Sequence, residues 1–98
     1  MIDVIEITIK EFKDNIYNEY IKLFPAEEQR EWKKIEDTYK NGIEKFYKIT
    51  LKNQTIGFFM LERLNSDYPF YLDYFAIFDE FQSKGYRIWD KSNQKITW

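Results

Sequence analysis

Apolar and polar positions in the first 23 residues predict a short strand followed by an amphipathic helix. Residues 4–8 alternate in character, as expected for a strand with two different faces. Thr8 and Glu11 then have the spacing of a capping box, which predicts that a helix begins at Thr8. The apolar stripe of this helix consists of Phe12, Ile16, Tyr20 and Leu23.

A second helix is predicted between Pro25 and Asn41-Gly42. Proline suits the first position of a helix and ends whatever helix precedes it, whereas Asn-Gly is a typical stop signal. Acidic residues at 27–28 would lie in the first turn, where the helix dipole favours them. The buried stripe of this helix consists of Trp32, Ile35 and Tyr39.

From Ile43 onward the apolar pattern changes to the period of two that is typical of strands. A strand ends at a turn around Asn53-Gln54, a return strand covers residues 55–64, and an aromatic strand covers residues 70–78. Gly57 within the return strand indicates a bulge or a close approach of neighbouring backbones. The order β-α-α-β-β-β predicts an α/β domain of the α+β type, with antiparallel later strands and two helices packed on the sheet.

Composition narrows the classes of function. A chain of 98 residues with 44% hydrophobic residues makes one small globular domain. Lys plus Arg number 15 against 17 Asp plus Glu, and a net charge of −2 argues against nucleic acid as a partner. The chain has no cysteine and no histidine, which excludes disulfides, thiol nucleophiles and the usual zinc sites. A Mg²⁺ or Ca²⁺ site made of carboxylates alone stays open, but no EF-hand-like spacing is present, and we assign no residue to a metal. No signal peptide or membrane-length apolar run is present, so we expect a cytoplasmic protein without a membrane partner.

The segment after the aromatic strand carries the candidate chemistry. Residues 82–86 read Gln-Ser-Lys-Gly-Tyr and directly follow a strand and an acidic turn. A strand that leads through such a loop into a helix is a common anion-binding device, because successive backbone N–H groups point into a concavity. Gly85 would let the backbone approach a phosphate closely.

At this point the chain resembles the GNAT (Gcn5-related) family of N-acetyltransferases. The cofactor signature of that family is Gln or Arg, two residues of any type, Gly, any residue, then Gly or Ala. The first five positions are matched in order by Gln82, Ser83, Lys84, Gly85 and Tyr86, whereas the sixth position is Arg87. The resemblance covers residues 4–86 and implies the N-terminal part of an acyl-CoA N-acyltransferase fold, with a mixed, mainly antiparallel sheet.

The resemblance implies acetyl-CoA as cosubstrate and an amine as acceptor, either a small molecule or a peptide. The cofactor would contact the end of the aromatic strand and the signature segment, at Phe75, Ala76, Ile77 and residues 82–86. The acceptor site would involve Phe24, Glu28 and Tyr71. Asp73 is the one residue that we nominate for proton transfer from the acceptor amine.

Each of these assignments has a structural alternative. Residues 82–86 could be an ordinary polar turn, and Asp73 could face solvent between aromatic neighbours. Tyr71, Phe75 and Ile77 could belong to the core rather than to an acceptor pocket. Glu28 could be a helix-start acid and nothing more.

The last twelve residues do not continue the family pattern, which would place a long amphipathic helix after the signature. We therefore divide the chain into an acetyltransferase-like part, residues 1–86, and an aberrant tail, residues 87–98. Codons can be chosen for the tail such that a reading frame one base later encodes a glycine and the start of an amphipathic helix. The hypothesis is a frameshifted, truncated acetyltransferase with impaired activity.

A non-catalytic function remains as the alternative. An α/β domain with an uncovered aromatic strand at residues 70–78 would associate with a partner or with a second copy of itself, because an apolar strand edge invites pairing. We therefore expect a homo-oligomer, such as a dimer, formed through this edge.

Overall fold

The structure, a computed structural model, describes residues 2–82, 88–90 and 95–97 and has an α+β architecture. The strands are β1 (Ile2–Ile7), β2 (Glu44–Leu51), β3 (Gln54–Glu62), β4 (Tyr71–Ile77), β5 (Ile88–Asp90) and β6 (Lys95–Thr97). The α-helices are α1 (Ile9–Asn15), α2 (Tyr17–Leu23), α3 (Trp32–Lys40) and α4 (Asp79–Gln82), and a 3-10 helix covers Ala26–Glu28. None of the described helices is long and apolar enough to cross a membrane.

The main sheet has the strand order β1-β2-β3-β4, and each neighbouring pair is antiparallel. This confirms the predicted antiparallel arrangement of the three later strands. Strands β5 and β6 form a separate antiparallel pair. Every pairing between described strands is thus antiparallel, and the parallel component of a mixed sheet is not seen in these ranges.

The first helical region begins as predicted but is divided in two. Thr8 caps α1, since its Oγ1 accepts a hydrogen bond from the backbone N–H of Glu11 at 3.2 Å. The Glu11 carboxylate does not complete the capping box; it binds Lys48 Nζ on β2 at 2.7 Å. The predicted single helix is interrupted at Ile16, whose backbone leaves the helical region (φ −123°, ψ −30°). The side chain of Ile16 is buried at this break.

The second helix starts seven residues later than the sequence predicts. Pro25 is followed by the single 3-10 turn, and the backbone of Glu31 is still extended (φ −62°, ψ 145°) before α3 begins. The prediction of a helix from Pro25 was wrong because side chains outside this segment hold its backbone in other hydrogen bonds. The predicted stop at Asn41-Gly42 is confirmed, and Gly42 has the positive φ of 74° that favours glycine.

The hairpin between β2 and β3 turns one residue earlier than expected. Lys52 and Asn53 both have positive φ, 51° and 66°, and occupy the two turn positions between the strands. Positive φ at two successive positions is the signature of a type I′ turn, whose twist matches that of a hairpin. Strand β4 is shorter than the predicted range 70–78 by one residue at each end.

The core lies between the helices and one face of the sheet. Phe12 of α1 stacks on Phe46 of β2 at 4.4 Å between ring centroids, and Tyr20 of α2 packs edge-on against Tyr74 of β4 at 5.1 Å. The opposite face carries a ladder of three partly buried rings, Tyr47, Phe59 and Phe75, which stack across β2, β3 and β4. The sheet therefore presents a helix-covered face and an aromatic face.

Candidate functional site

The end of β4 is fixed by a close approach to β3. A Cβ atom on Gly57 would lie 2.4 Å from the backbone oxygen of Ala76 and 2.9 Å from Ile77 Cδ1. Only a residue without a side chain fits here, which confirms the close approach predicted from a glycine within a strand. The pairing continues past β4, where the Phe78 N–H donates to the Ile56 carbonyl at 2.8 Å.

The three β4 residues assigned to the cofactor do not share one environment. Phe75 lies on the aromatic face, where its ring stacks with Phe59 at 6.3 Å. Ala76 is paired with Phe58 and is partly buried against the core, and Ile77 is only 3% exposed. A cofactor would thus contact Ala76 and Ile77 through their main-chain atoms. The assignment of Phe75, Ala76 and Ile77 to cofactor binding stays a prediction.

The chain leaves β4 through a short helix rather than a loop. Phe78 and Phe81 are buried, and helix α4 ends at Gln82. The remaining signature residues, Ser83, Lys84, Gly85 and Tyr86, lie outside the described residues, so the predicted anion-binding loop stays a prediction. A helix of four residues does not by itself make an anion site, and its first turn carries Asp79 and Glu80.

A small recess lies beside α4. Its volume is about 100 Å³, and it is lined by Glu19, Lys22, Phe78, Asp79 and Glu80. Lys22 Nζ lies 3.8 Å from Asp79 and 3.9 Å from Glu19, so the single cation already faces acidic neighbours. With three acids around one lysine, the recess disfavours a phosphate group.

The residues assigned to the acceptor site lie in two places. Phe24 is partly buried and packs edge-on against Tyr74 at 5.0 Å between centroids. Glu28 has an exposed side chain, but its backbone oxygen accepts a short hydrogen bond from the Tyr74 hydroxyl. Tyr71 is the first residue of β4, lies opposite Glu62 and is 50% exposed. The structure therefore brings Phe24 and the Glu28 backbone together at Tyr74.

Asp73 is the extra residue of a β-bulge. Met60 pairs with Tyr74 and Leu61 pairs with Leu72, so the register shifts by one residue at Asp73. Its carboxylate does not face solvent; Asp73 Oδ2 accepts a hydrogen bond from Arg30 Nη2 at 2.7 Å. The solvent-facing interpretation of Asp73 is therefore wrong, and its role in proton transfer stays a prediction.

Arg30 is the centre of an ion network that we call the Arg30 cluster: Arg30, Glu44, Glu62 and Asp73. Arg30 Nη2 also makes a short ion pair with Glu44, and Arg30 Nη1 lies 3.5 Å from Glu62 Oε2. The Glu44 side chain is fully buried, and the other three side chains are between 16% and 24% exposed. Thr38 Oγ1 donates a further hydrogen bond to Glu44 at 2.7 Å. The cluster thus joins the segment before α3 to strands β2, β3 and β4.

Burial dominates the electrostatics of the Arg30 cluster. Burial raises the pKa of Glu44, against the opposing effects of Arg30 and Thr38. Burial and a hydrogen bond with Asp73 raise the pKa of Glu62. For Arg30, burial alone would lower the pKa, but the carboxylates of Glu44, Asp73 and Glu62 outweigh it and raise the pKa above its ordinary value. Both glutamates therefore hold their protons to a higher pH than in an unfolded chain.

The carboxylate spacing in the cluster would also be compatible with a divalent cation. The oxygens of Glu44, Glu62 and Asp73 lie within 4.8 Å of one another. The guanidinium of Arg30, however, contacts both Glu44 and Asp73 and supplies the positive charge between them. We therefore interpret the group as an ion-pair network of the protein itself, in which Arg30 is the cation.

The sequence contains a partial signal for this cluster that our sequence reasoning missed. Glu44 has the same strand phase as buried Phe46, and Glu62 has the same phase as buried Phe58 and Met60. A carboxylate in phase with core residues must find a buried partner, because an isolated buried charge is costly. Arg30 lies in a segment without regular secondary structure, so no hydrophobic periodicity predicts which way its side chain points.

Comparison with known proteins does not extend the resemblance. No family model matches the chain, and a search of curated proteins finds no match either.

Proposed function

We propose that this chain forms the N-terminal part of an acetyltransferase-like fold, which binds acetyl-CoA beside β4 and presents its thioester to a primary amine, with impaired transfer activity. The observation that carries the proposal is the connection at β4. The last strand of the order β1-β2-β3-β4 leads, through Phe78 and the single turn of α4, directly into the Gln82-x-x-Gly85 segment. This is the order in which the family places its sheet and its pyrophosphate loop.

The expected chemistry is a direct attack of the amine on the thioester carbonyl. Main-chain N–H groups at the strand end would orient the thioester and polarise its carbonyl, which is the usual effect of preorganised donors. The N–H groups of residues 83–86, with Lys84, would hold the diphosphate. Asp79 and Glu80 oppose this binding by their charge, so affinity depends on the signature segment itself.

Calorimetric titration with acetyl-CoA tests this proposal. The purified chain should bind with a dissociation constant in the micromolar range, and Gly85→Asp should weaken binding at least about tenfold, because it places a side chain and a negative charge in the phosphate loop. Gly42→Asp is the matched control, since it adds the same charge at a glycine on the loop between α3 and β2. Absence of binding at millimolar acetyl-CoA, or equal effects of the two substitutions, would refute the proposal.

The second candidate is a non-catalytic interaction module that self-associates along β4. One observation favours it: Tyr71 and Leu72, at the start of the outer strand β4 of the four-stranded sheet, are 50% and 38% exposed. Exposed apolar side chains on a terminal strand promote pairing with another chain. Light scattering should then show a dimer that Leu72→Lys disrupts, whereas Leu64→Lys, at a more exposed loop leucine, should not. A monomeric wild-type chain at high concentration would exclude this candidate.

A further inference from the structure

Strand β1 is an outer strand of the four-stranded sheet. Within the part of the chain that the structure describes, it pairs with β2 alone. The other edge of β1 therefore presents main-chain N–H and C=O groups that no described strand meets, and an edge of this kind can take up a further strand. Residues 2–6 of β1 are all exposed, and within this strand Ile7 alone is buried. The edge lies across the sheet from β4, so it is separate from the exposed start of that strand.

The exposed apolar side chains of β1 lie on both faces of the sheet. Ile2 and Val4, which are 44% and 54% exposed, lie on the aromatic face. Ile5 is 44% exposed and lies on the helix-covered face, in phase with buried Ile7, because successive residues of a strand alternate between the faces. A strand added at this edge would therefore cover apolar surface on both sides of the sheet, which favours its binding.

The charged side chains of β1 are both acidic. Asp3 and Glu6 are exposed, and neither forms an ion pair with another described residue. Lys48, which pairs with Ile5 of β1, is already bound to Glu11 of α1 at 2.7 Å. Opposite charges across a strand pair stabilise it and like charges destabilise it, so the edge favours a basic strand. Strand β1 contains no lysine or arginine, so the β1 of a second copy would offer a cation to neither acid.

We propose that the outer edge of β1 binds an extended segment of a partner protein as a further antiparallel strand, in which two basic residues enclose two apolar residues. The strand is placed antiparallel because every pairing between described strands is antiparallel. Its basic residues lie opposite Glu6 and Asp3. Its two central apolar residues lie opposite Ile5 and Val4, and a third apolar residue lies opposite Ile2. Main-chain hydrogen bonds supply affinity and the side chains supply selectivity. The inference does not depend on the acetyltransferase proposal.

The spacing of the two acids makes this pattern specific. Asp3 and Glu6 are three residues apart, so they point to opposite faces of the sheet. The two basic residues of the partner must therefore also be three residues apart. Directly opposite residues in an antiparallel pair have Cβ atoms about 5 Å apart, which lets a lysine reach the facing carboxylate. Basic residues two apart would lie on one face and could complement only one of the two acids.

NMR titration of the backbone amides with three capped peptides tests the proposal. The peptide Thr-Lys-Val-Val-Lys-Val-Thr should shift the amide signals of residues 2–7 and saturate at submillimolar concentration. The peptide Thr-Glu-Val-Val-Glu-Val-Thr places an acid opposite each acid and should bind at least about tenfold more weakly. The peptide Thr-Lys-Val-Lys-Val-Val-Thr has the composition and charge of the first but the wrong spacing, and should bind about threefold more weakly than the first.

Charge reversal on the protein completes the test. Asp3→Lys with Glu6→Lys should reverse the preference, so that the glutamate peptide binds at least about tenfold more tightly than the lysine peptide. Glu27→Lys with Asp67→Lys makes the same change at exposed acids outside β1 and should keep the wild-type preference.

Four results would overturn the proposal. They are no saturation at millimolar peptide, equal affinities of the wild type for the lysine and glutamate peptides, an unchanged preference in the β1 variant, and shifts confined to residues outside β1. Signals of β1 that change with protein concentration in the absence of peptide would instead assign this edge to a second copy of the chain, and would overturn the proposal of a basic partner.

Discussion

At the scale of single residues, Arg30 is the side chain whose loss should cost most. It compensates three carboxylates, one of them fully buried, and removing one partner of a buried ion network leaves uncompensated charge in the protein. We expect Arg30→Met to lower the free energy of unfolding by about 3–5 kcal/mol, as measured by urea denaturation. Lys33→Met, which removes an exposed lysine paired with Asp37, should have little effect. Equal losses in the two variants would contradict a special role for Arg30.

Gly57 should be intolerant of even one added methyl group. In a strand, replacement of glycine by alanine normally gains stability, because alanine loses less conformational freedom on folding. Here the added Cβ would meet the Ala76 backbone oxygen at 2.4 Å, and backbone cannot move aside as a flexible side chain can. We expect Gly57→Ala to lower the free energy of unfolding by about 1–3 kcal/mol, measured by thermal denaturation.

Gly42→Ala separates this clash from the conformational cost of losing a glycine. At Gly42 the nearest atom to an added Cβ is Arg63 Nη2 at 3.6 Å, an ordinary contact, so the cost there comes only from the positive φ and should be about 1 kcal/mol. A Gly57→Ala protein more stable than wild type would show that β3 and β4 can separate without loss.

At the scale of elements, the β2–β3 turn is suboptimal for its conformation. Lys52 adopts a φ of 51°, in the left-handed region that residues other than glycine rarely occupy. Asparagine tolerates this region better than lysine does, so Asn53 at φ 66° is less strained. Asn-Gly is the preferred pair for a type I′ turn. The double substitution Lys52→Asn with Asn53→Gly should therefore raise the free energy of unfolding by about 1 kcal/mol, measured by urea denaturation. Lys52→Val should lower it, and a gain from valine would contradict the assigned turn.

The elements that sequence predicted well are those that local chemistry specifies. Thr8 caps a helix, Gly42 ends one and Gly57 marks a close approach, because each effect depends on one residue and its immediate backbone. The break at Ile16 and the late start of α3 could not be predicted in this way. They depend on burial of Ile16 and on hydrogen bonds from Tyr20 and Tyr74, which are tertiary contacts.

The signature segment and the Arg30 cluster also differ in how far the sequence alone could predict them. The signature from Gln82 is contiguous, so sequence alone can propose it, although its residues after 82 lie outside the described structure. The Arg30 cluster draws one residue from each of four separate segments, and only the strand register brings its three carboxylates together. Because Glu44 and Glu62 alternate in step with buried core residues, the sequence indicates that they need buried partners. It does not predict that the partner is Arg30.

At the scale of the whole molecule, the Arg30 cluster lies where three strands meet the helical layer. Glu44 begins β2, Glu62 ends β3 and Asp73 lies at the bulge of β4, so the three acids mark one end of the sheet. Arg30 connects this end to the segment before α3. Packing at the centre of the core is aromatic and uncharged, so we expect the pH dependence of stability to originate at this end of the domain.

The pH dependence of global stability should follow from the same residues. Burial raises the pKa of both Glu44 and Glu62, so the folded protein binds more protons than the unfolded chain above the ordinary value of 4.5. The free energy of unfolding should therefore decrease as the pH rises from about 5 to about 8, since stability falls with pH wherever the folded state binds more protons. Urea denaturation across this range measures the slope.

Glu44→Gln should make that slope shallower, because glutamine does not titrate. Its oxygen can still accept from Arg30, and its amide N–H₂ can donate to the Thr38 hydroxyl, which reverses the bond of the wild type. Glu6→Gln, on exposed β1, should leave the slope of the wild type unchanged.

The chain carries a net charge of −2 at neutral pH, and reduced self-repulsion nearer its isoelectric point of about 5.2 acts in the same direction. Added salt screens that general repulsion more than it screens the buried cluster. A slope that persists in high salt and weakens in Glu44→Gln therefore identifies the cluster as its source, whereas a slope that salt abolishes would assign it to net charge.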